Sequence, residues 1–432
     1  MCVLFADRRR SGNKTQKYSP MAYLQEVRCT SLYKKMGFHL LKPTAISHFD
    51  QVKDKVPVDN PSEFFRDHGG DYFVSCADFD TKELVLIKPT DRSKVRRAAF
   101  FNEALREHAE ELFVIPFSQL ADVSATVASD VAHITTMFIH IAMRCGSTLL
   151  IKALGATGMM HALSESDVYV NISRYLLSKK ELPEDGMETL LEFIRHINTL
   201  FNYTLLQEDP SKTITCYKMR GQVGPIADVL QRALPEVKNI FIYRNLLGTL
   251  DSYAHVMANG RYWKYWLQTT LNLDCLYINN YNDLQATPLR DNPVFDSIPV
   301  PHGIVWFSVC AWLEIMQKAH ELTKQDPQWF DVILRYEELS KYKEEMVMKV
   351  MEVLGIKCVD EDAKANIRKV FEVNSQAGHS LASRGASGGG SWVGEWEMGI
   401  VSKILQHVNM GISKPDLVLD GTLSFGSDRI DK

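Results

Sequence analysis

The stretch AMRCGSTLL, residues 142–150, follows directly on the apolar run TTMFIHIA and returns at once to leucines. A strand that empties through a short loop into a helix leaves backbone N–H groups at the helix start. Those groups, with the helix dipole, attract an anion such as phosphate or sulfate. Gly146 permits close backbone approach, Ser147 and Thr148 add hydroxyl donors, and Arg144 supplies a positive charge beside Cys145. A plainer reading stays open, a helix start capped by the hydroxyl of Ser147 or Thr148. The pattern GxxxxGK[ST] does not occur in the chain, which weighs against an ATP- or GTP-using loop of that type.

A second stretch repeats the arrangement. NIFIYRNLLGTLDSYAHV, residues 239–256, runs from a strand through Arg244 into a helix that carries Ser252 eight positions later. In this order and spacing the two stretches resemble the sulfotransferases that use 3′-phosphoadenosine 5′-phosphosulfate (PAPS). In that family a KSGTT- or RSGTT-type turn binds the 5′-phosphosulfate end, and a later Arg and Ser, eight apart, bind the 3′-phosphate. The resemblance spans roughly residues 135–400 and includes VILRYEELSKYKEEMVMKVMEVLGI. It implies that Arg144, Cys145, Gly146, Ser147 and Thr148 hold the 5′ end, with Arg144 steadying the leaving phosphate, and that Arg244 and Ser252 hold the 3′-phosphate. The chain departs from the family pattern at Cys145, where Ser is usual, and at LLG after Arg244, where a proline-containing turn is frequent. The family's C-terminal RKGxxGxW loop appears only loosely as SRGASGGGSW; by resemblance Arg384 and Gly385 join the 3′-phosphate site, and by composition the run reads as a flexible linker.

Sulfuryl transfer needs an in-line acceptor, a base for its proton and charge stabilisation on the leaving oxygen. The family uses either a His after a central strand or a Glu shortly beyond the first helix. Glu165 stands 21 positions after Arg144, similar to the Glu base of the tyrosyl-protein type, and the resemblance implies that it is the base. Without the family context, the same carboxylate reads as solvated or helix-capping. His161 is the competing base, with a loop or core histidine the simpler reading; His140, inside a strand run, reads as packed. Lys218 ends the strand TITCYK, where the family often places a lysine facing the site, although a snorkelling strand-end lysine is equally consistent. Trp263 and Trp266 in GRYWKYWLQ offer an acceptor wall, with core packing the simpler expectation.

These residues need a scaffold, and the pattern around them supplies one. From about residue 135, apolar strand-like runs (TTMFIHIAM, TITCYKMR, KNIFIYR, WFDVILRYE) alternate with amphipathic helical stretches (GSTLLIKALG, GPIADVLQRAL, LLGTLDSYAHVM, EELSKYKEEMVMKVMEVLG). This is the signature of an α/β fold, a mainly parallel sheet flanked by helices. The resemblance makes it a P-loop-like sulfotransferase core. Ahead of it lies an added N-terminal α+β region. There GGDYFVSCADFDTKELVLIKPTD reads as two strands around a polar turn, RSKVRRAAFFNEALREHAEELF has helix-forming composition, and KVRR reads as a solvated helix face. The organisation expected is an N-terminal region over 1–130, the α/β domain over 131–412 and a tail over 413–432. Residues 271–303 read as a long turn-rich insertion, and GIVWFSVCAWLEIM as a core helix.

Composition narrows the function classes. With 432 residues, 45% hydrophobic and 24% charged, the chain is an ordinary folded protein, and a formal charge of −4 argues against a general nucleic-acid binder. No apolar segment reaches the roughly 18–20 residues that span a bilayer. The start of the chain lacks the apolar core of a signal peptide, and eight cysteines show no CxxC or finger spacing. The expectation is a cytoplasmic, metal-free PAPS-dependent transferase acting on a small-molecule, glycan or peptide hydroxyl, or on an amine. Two alternatives stand beside it: a non-catalytic module that binds PAP or another adenine nucleotide, and a nucleotide-dependent phosphotransferase, for which the sequence offers no loop lysine or Mg-binding carboxylate set.

Overall fold

The structure, a computed structural model, describes residues 21–30, 42–179, 181–258, 260–276, 293–357, 361–373, 391–408, 412 and 414–425. Two sheets organise them. The first is antiparallel and N-terminal: β1 (Tyr23–Cys29), β2 (Phe49–Gln51), β3 (Val56–Pro57), β4 (Phe73–Asp78), β5 (Glu83–Pro89) and β6 (Ala109–Pro116), in the order β2-β1-β6-β5-β4 with β3 paired to β1. The second is parallel: β7 (Thr135–Ile141), β8 (His161–Ser164), β9 (Ile214–Lys218), β10 (Lys238–Tyr243) and β11 (Val332–Arg335), in the order β11-β10-β7-β9-β8. β7 is buried at every position after Thr135, as expected of a strand covered on both faces.

The sequence places the two strands around residues 78–83 correctly, with Asp78 Oδ1 accepting from the N–H of Asp80 and Thr81 to close the turn. The helix expected after them is broken. Residues 92–113 divide into α1 (Arg92–Arg97), α2 (Phe101–Glu107) and the start of β6, which lies between β1 and β5. Ala98 is extended (φ −63°, ψ 145°) and ends α1 after six residues. Beyond His108 the apolar run LFVIP is buried without a break, which favours a central strand over a helix. β8 is the other addition. Its four residues HALS are too few to give a periodic signal, yet they form the edge of the parallel sheet against β9.

The helices of the α/β part that bear on the site are α3 (Ser147–Ala156), α4 (Asp167–Ser178), α5 (Leu246–Met257), α6 (Ile304–Gln325) and α7 (Tyr336–Val353), with others, among them Glu184–Leu206, around them. α6 is the expected core helix, with Trp306 and Trp312 fully buried. Residues 414–425 pack along the sheet: Leu423 donates to Ile333 O at 2.7 Å, and Tyr243 Oη meets Thr422 Oγ1 at 2.8 Å. One apolar cluster runs without interruption from the N-terminal sheet (Val85, Phe113) into the parallel sheet (Phe138, Leu163, Tyr217). Among the described residues no helix is long and apolar enough to cross a membrane.

The strand order fixes where a site can form. Beyond β7 the chain first builds β8 and β9 on one flank of that strand, then β10 and β11 on the other. The loop after β7 therefore lies at a switch point, at the carboxyl ends of the strands, where open α/β sheets leave a crevice for ligands.

Candidate active site

Residues 142–146 occupy that switch point. Arg144 (φ 56°) and Gly146 (φ 77°) both adopt left-handed backbone, so the loop turns sharply into α3. Gly146 is the N-cap and Ser147 the first helical residue, which overturns the reading in which a hydroxyl at 147 or 148 caps the helix. The N–H of Leu150 is the first to close an α-helical turn, on Gly146 O at 3.1 Å. The N–H of Leu149 also closes on Gly146 O, at 2.9 Å, and the N–H groups ahead of Leu149 are those that a helix start directs to a cap or a ligand. Glycine is required at 146 for two reasons, its φ and its neighbour: an added Cβ would lie 2.3 Å from the Tyr336 ring. The Cys145 side chain is fully buried in the apolar cluster of β7 and α3, and burial pushes its thiol up to about 11. Cys145 can thus meet a ligand only through its backbone.

The second motif folds onto the first. Arg144 Nε donates to Ser252 Oγ at 3.1 Å, across 108 residues of sequence. The Arg244 guanidinium stacks 4.6 Å above the Tyr336 ring, the same ring that covers Gly146. The departure at LLG has a structural counterpart. Asn245 caps α5 by accepting from Gly248 N at 2.7 Å, and Gly248 leaves space for Arg244, whose Nε would lie 2.6 Å from a Cβ there. Glu337 accepts from Asn245 N at 3.2 Å and from its amide. Burial lowers the pKa of Arg144, and the Arg244 charge pushes the same way. Two guanidiniums that repel one another at the mouth of a helix start favour an anion between them.

On the other flank of the loop, Lys218 ends β9. Its Nζ reaches Thr148 Oγ1 at 3.2 Å, Ser164 Oγ at 3.3 Å and, in a closer ion pair, Glu165 Oε1. The Phe100 ring lies 5.6 Å from the same ammonium. The Lys218 side chain is 1% exposed and that of Glu165 14%, so the carboxylate is the reachable partner. Glu165 also has left-handed backbone (φ 62°), held by its N–H on Lys218 O at 2.8 Å. Such conformations cost a non-glycine residue on the order of 1–3 kcal/mol and persist where the surroundings impose them.

The remaining sequence candidates separate cleanly. His161 is buried, its Nε2 on Asp209 O at 3.2 Å, and burial followed by the Arg96 charge lowers its pKa. His140 is buried on Asn239 at 2.9 Å, and burial pushes it down to about 4. Neither reaches the cluster around Lys218. Trp263 and Trp266 are 62% and 54% exposed, so the core-packing expectation fails; Tyr265 between them is the buried ring, donating to Glu397 at 3.0 Å. Arg384 and Gly385 lie outside the described residues. C-terminal to them, the Ser391 hydroxyl and the Trp392 N–H donate to Asp251, beside Ser252.

Several members of the site are absent from the sequence reading. Tyr336 is shared by both motifs, and Ser164 and Phe100 are grouped around Lys218. The KVRR face divides: Lys94 and Arg97 are exposed, as a solvated face would be, whereas Val95 is fully buried and Arg96 donates to Ala162 O at 3.0 Å and pairs with Glu208 at 3.0 Å. One signal was available in the sequence. The acids of SESD and the bases of KMR share a two-residue spacing, and the structure pairs them in order, Glu165 with Lys218 and Asp167 with Arg220.

No protein-family model matches the chain, and no curated protein matches its sequence. Among solved structures, the chain is similar to the sulfotransferase domain from the curacin biosynthetic pathway, with 11% identity and a TM-score of 0.33 over 58% of this chain and 83% of that one. It is also similar to the sulfotransferase domain of the Synechococcus PCC 7002 olefin synthase, with 14% identity and a TM-score of 0.31 over 63% and 88%. A third is retinol dehydratase in complex with androsterone and the inactive cofactor PAP, with 12% identity and a TM-score of 0.31 over 68% and 88%.

Proposed function

We propose that the chain transfers a sulfuryl group from PAPS to a hydroxyl acceptor. The observation that carries this reading is the position of Lys218, whose ammonium touches Thr148 of the anion loop and Glu165 at once. Bound PAPS supplies the activated sulfuryl group. The start of α3, with Ser147, Thr148 and Arg144, holds the 5′ end, and Arg244 and Ser252 hold the 3′-phosphate. Glu165 takes the proton of the acceptor hydroxyl as its oxygen bonds to sulfur. The bond from sulfur to the 5′-phosphate breaks, and its electron pair leaves on phosphate oxygen, where Lys218 and Arg144 offset the charge.

Thermal unfolding with PAP, AMP or ATP, on wild type and Arg244→Ala, tests the donor site. Ligand at 100 times its Kd stabilises by about 2.7 kcal/mol, a shift of a few degrees in a chain of this size. PAP is expected to shift the wild type and not the variant; stabilisation by ATP with no response to PAP would overturn the reading. A second reading, nucleotide binding without transfer, draws on the same ion pair, because Lys218 occupies the Glu165 carboxylate. Turnover of PAPS with any hydroxyl acceptor excludes it.

A further inference from the structure

Behind Thr148 and Ser164, the two hydroxyls that Lys218 reaches, a cavity of about 380 Å³ opens between α1, α3 and β8. Arg96, Arg97, Lys152 and Lys212 line it, and no Asp or Glu among the described residues does. Two nearby carboxylates pair with members of that lining. Glu208 is shared between Arg92 and Arg96, at 2.7 and 3.0 Å, and Asp209 pairs with Lys212 at 3.3 Å. Arg97 bonds back to the carbonyl and hydroxyl of Ser93 in its own helix. Burial, and then the charge of Lys218, lowers the pKa of Lys152, so an anion in the cavity would relieve both.

Two features tie the cavity to the chemistry. Thr148 and Ser164, the hydroxyls that accept from Lys218, are also in its wall. Phe101, Ile151, Met160 and Leu163 supply apolar surface, which suits the body of an organic molecule better than a bare inorganic ion. The N-terminal region is fastened to the edge strand at this point, Arg96 to Ala162 O and Ser164 Oγ to Ala99 O, both at 3.0 Å.

We infer that this cavity selects the acceptor by its charge: it takes a hydroxyl compound that carries its own anionic group, a carboxylate or phosphate, beside an apolar body. The assignment of this ligand as acceptor rests on the sulfotransferase reading; the binding of an organic anion does not. The test titrates the full chain with three probes on one 4-hydroxyphenyl skeleton: the propionate, the propionamide and the ethyl phosphate ester. Wild type and the double variant Arg97→Glu/Lys212→Glu are compared by calorimetry, with the PAP response as a check on the donor site. The acid or the phosphate is expected to bind about tenfold tighter than the amide, and the variant to lose that preference while still responding to PAP. Preference for the carboxylate over the phosphate, or the reverse, identifies the anion. Equal binding of acid, phosphate and amide overturns the inference, as does a preference that survives charge reversal or no binding by any of the three. Absence of a PAP response in wild type would instead count against the donor reading, and the charge preference would still be measurable.

Discussion

Glu165 and Asp167 stand two residues apart, and so do their partners Lys218 and Arg220, yet the two ion pairs are different objects. Asp167 is 1% exposed and fully engaged: it accepts from Arg220 at 2.6 Å, from the N–H and hydroxyl of Thr44 at 2.8 Å each, and from Asn102 at 3.1 Å. Those donors come from the N-terminal region (Thr44, Asn102) and from the segment just after β9 (Arg220), so this pair fastens one part of the molecule to the other. Glu165 pairs with Lys218, keeps 14% exposure and carries a left-handed backbone. A buried ion pair with every acceptor site filled is structural, whereas a pair with one face open and strained backbone is available for chemistry.

The heaviest loss should fall on the structural pair. Arg220→Ala strands the Asp167 carboxylate in the interior and should cost about 3–5 kcal/mol of stability, measured by urea unfolding; a loss no larger than that of a surface variant would break the distinction. On the other pair, Glu165→Gln should lower turnover of PAPS by about 10²–10⁴-fold. Its stability cost should be smaller than that of Arg220→Ala, because Gln keeps an oxygen that accepts from Lys218. Unchanged turnover removes Glu165 from the base role. Thr44→Val deletes one donor to Asp167 and keeps the backbone N–H, so the expected loss is about 1.5–3 kcal/mol, with PAP binding intact.

A weaker effect concerns the pH at which the two pairs are compared. Burial raises Glu314 from 4.5 to about 8, so between those values the folded state holds a proton that the unfolded state has lost, and stability falls as pH rises. Burial lowers His140 from 6.5 to about 4, so over that window stability rises with pH. The two oppose one another below about 6.5, where His161 and His196, also lowered by burial, add to His140, and above it only Glu314 of the two still acts. Stability should decline from there to about pH 8, by at most about 1.4 kcal/mol per pH unit, and Glu314→Gln should flatten the profile. A flat wild-type profile in that window would show that Glu314 ionises freely.

Much of the α/β frame was legible. All four strands read from residue 135 onward are present, as is the loop that turns into a helix at Ser147, because apolar runs and glycines act on their own neighbours. β6 was not legible, since AEELF has helix-forming composition and only its place between β1 and β5 makes it a strand. Nor was the tryptophan pair. Aromatic residues spaced along a helix show that a face exists, and packing decides which face is covered: Tyr265 is buried and Trp263 and Trp266 are not.

The strand–loop–helix units, the residue types at their junctions and the order in which they occur are all written in the linear chain. Folding in three dimensions was needed to bring Arg144 to Ser252 across 108 positions and Lys218 to Glu165 across 53, and to wall a basic cavity beside them with α1. The division is one of range. Helix and strand periodicity is set by residues two to four apart, whereas these contacts depend on the order of strands in the sheet and on an N-terminal region fastened to its edge, neither of which a local pattern encodes.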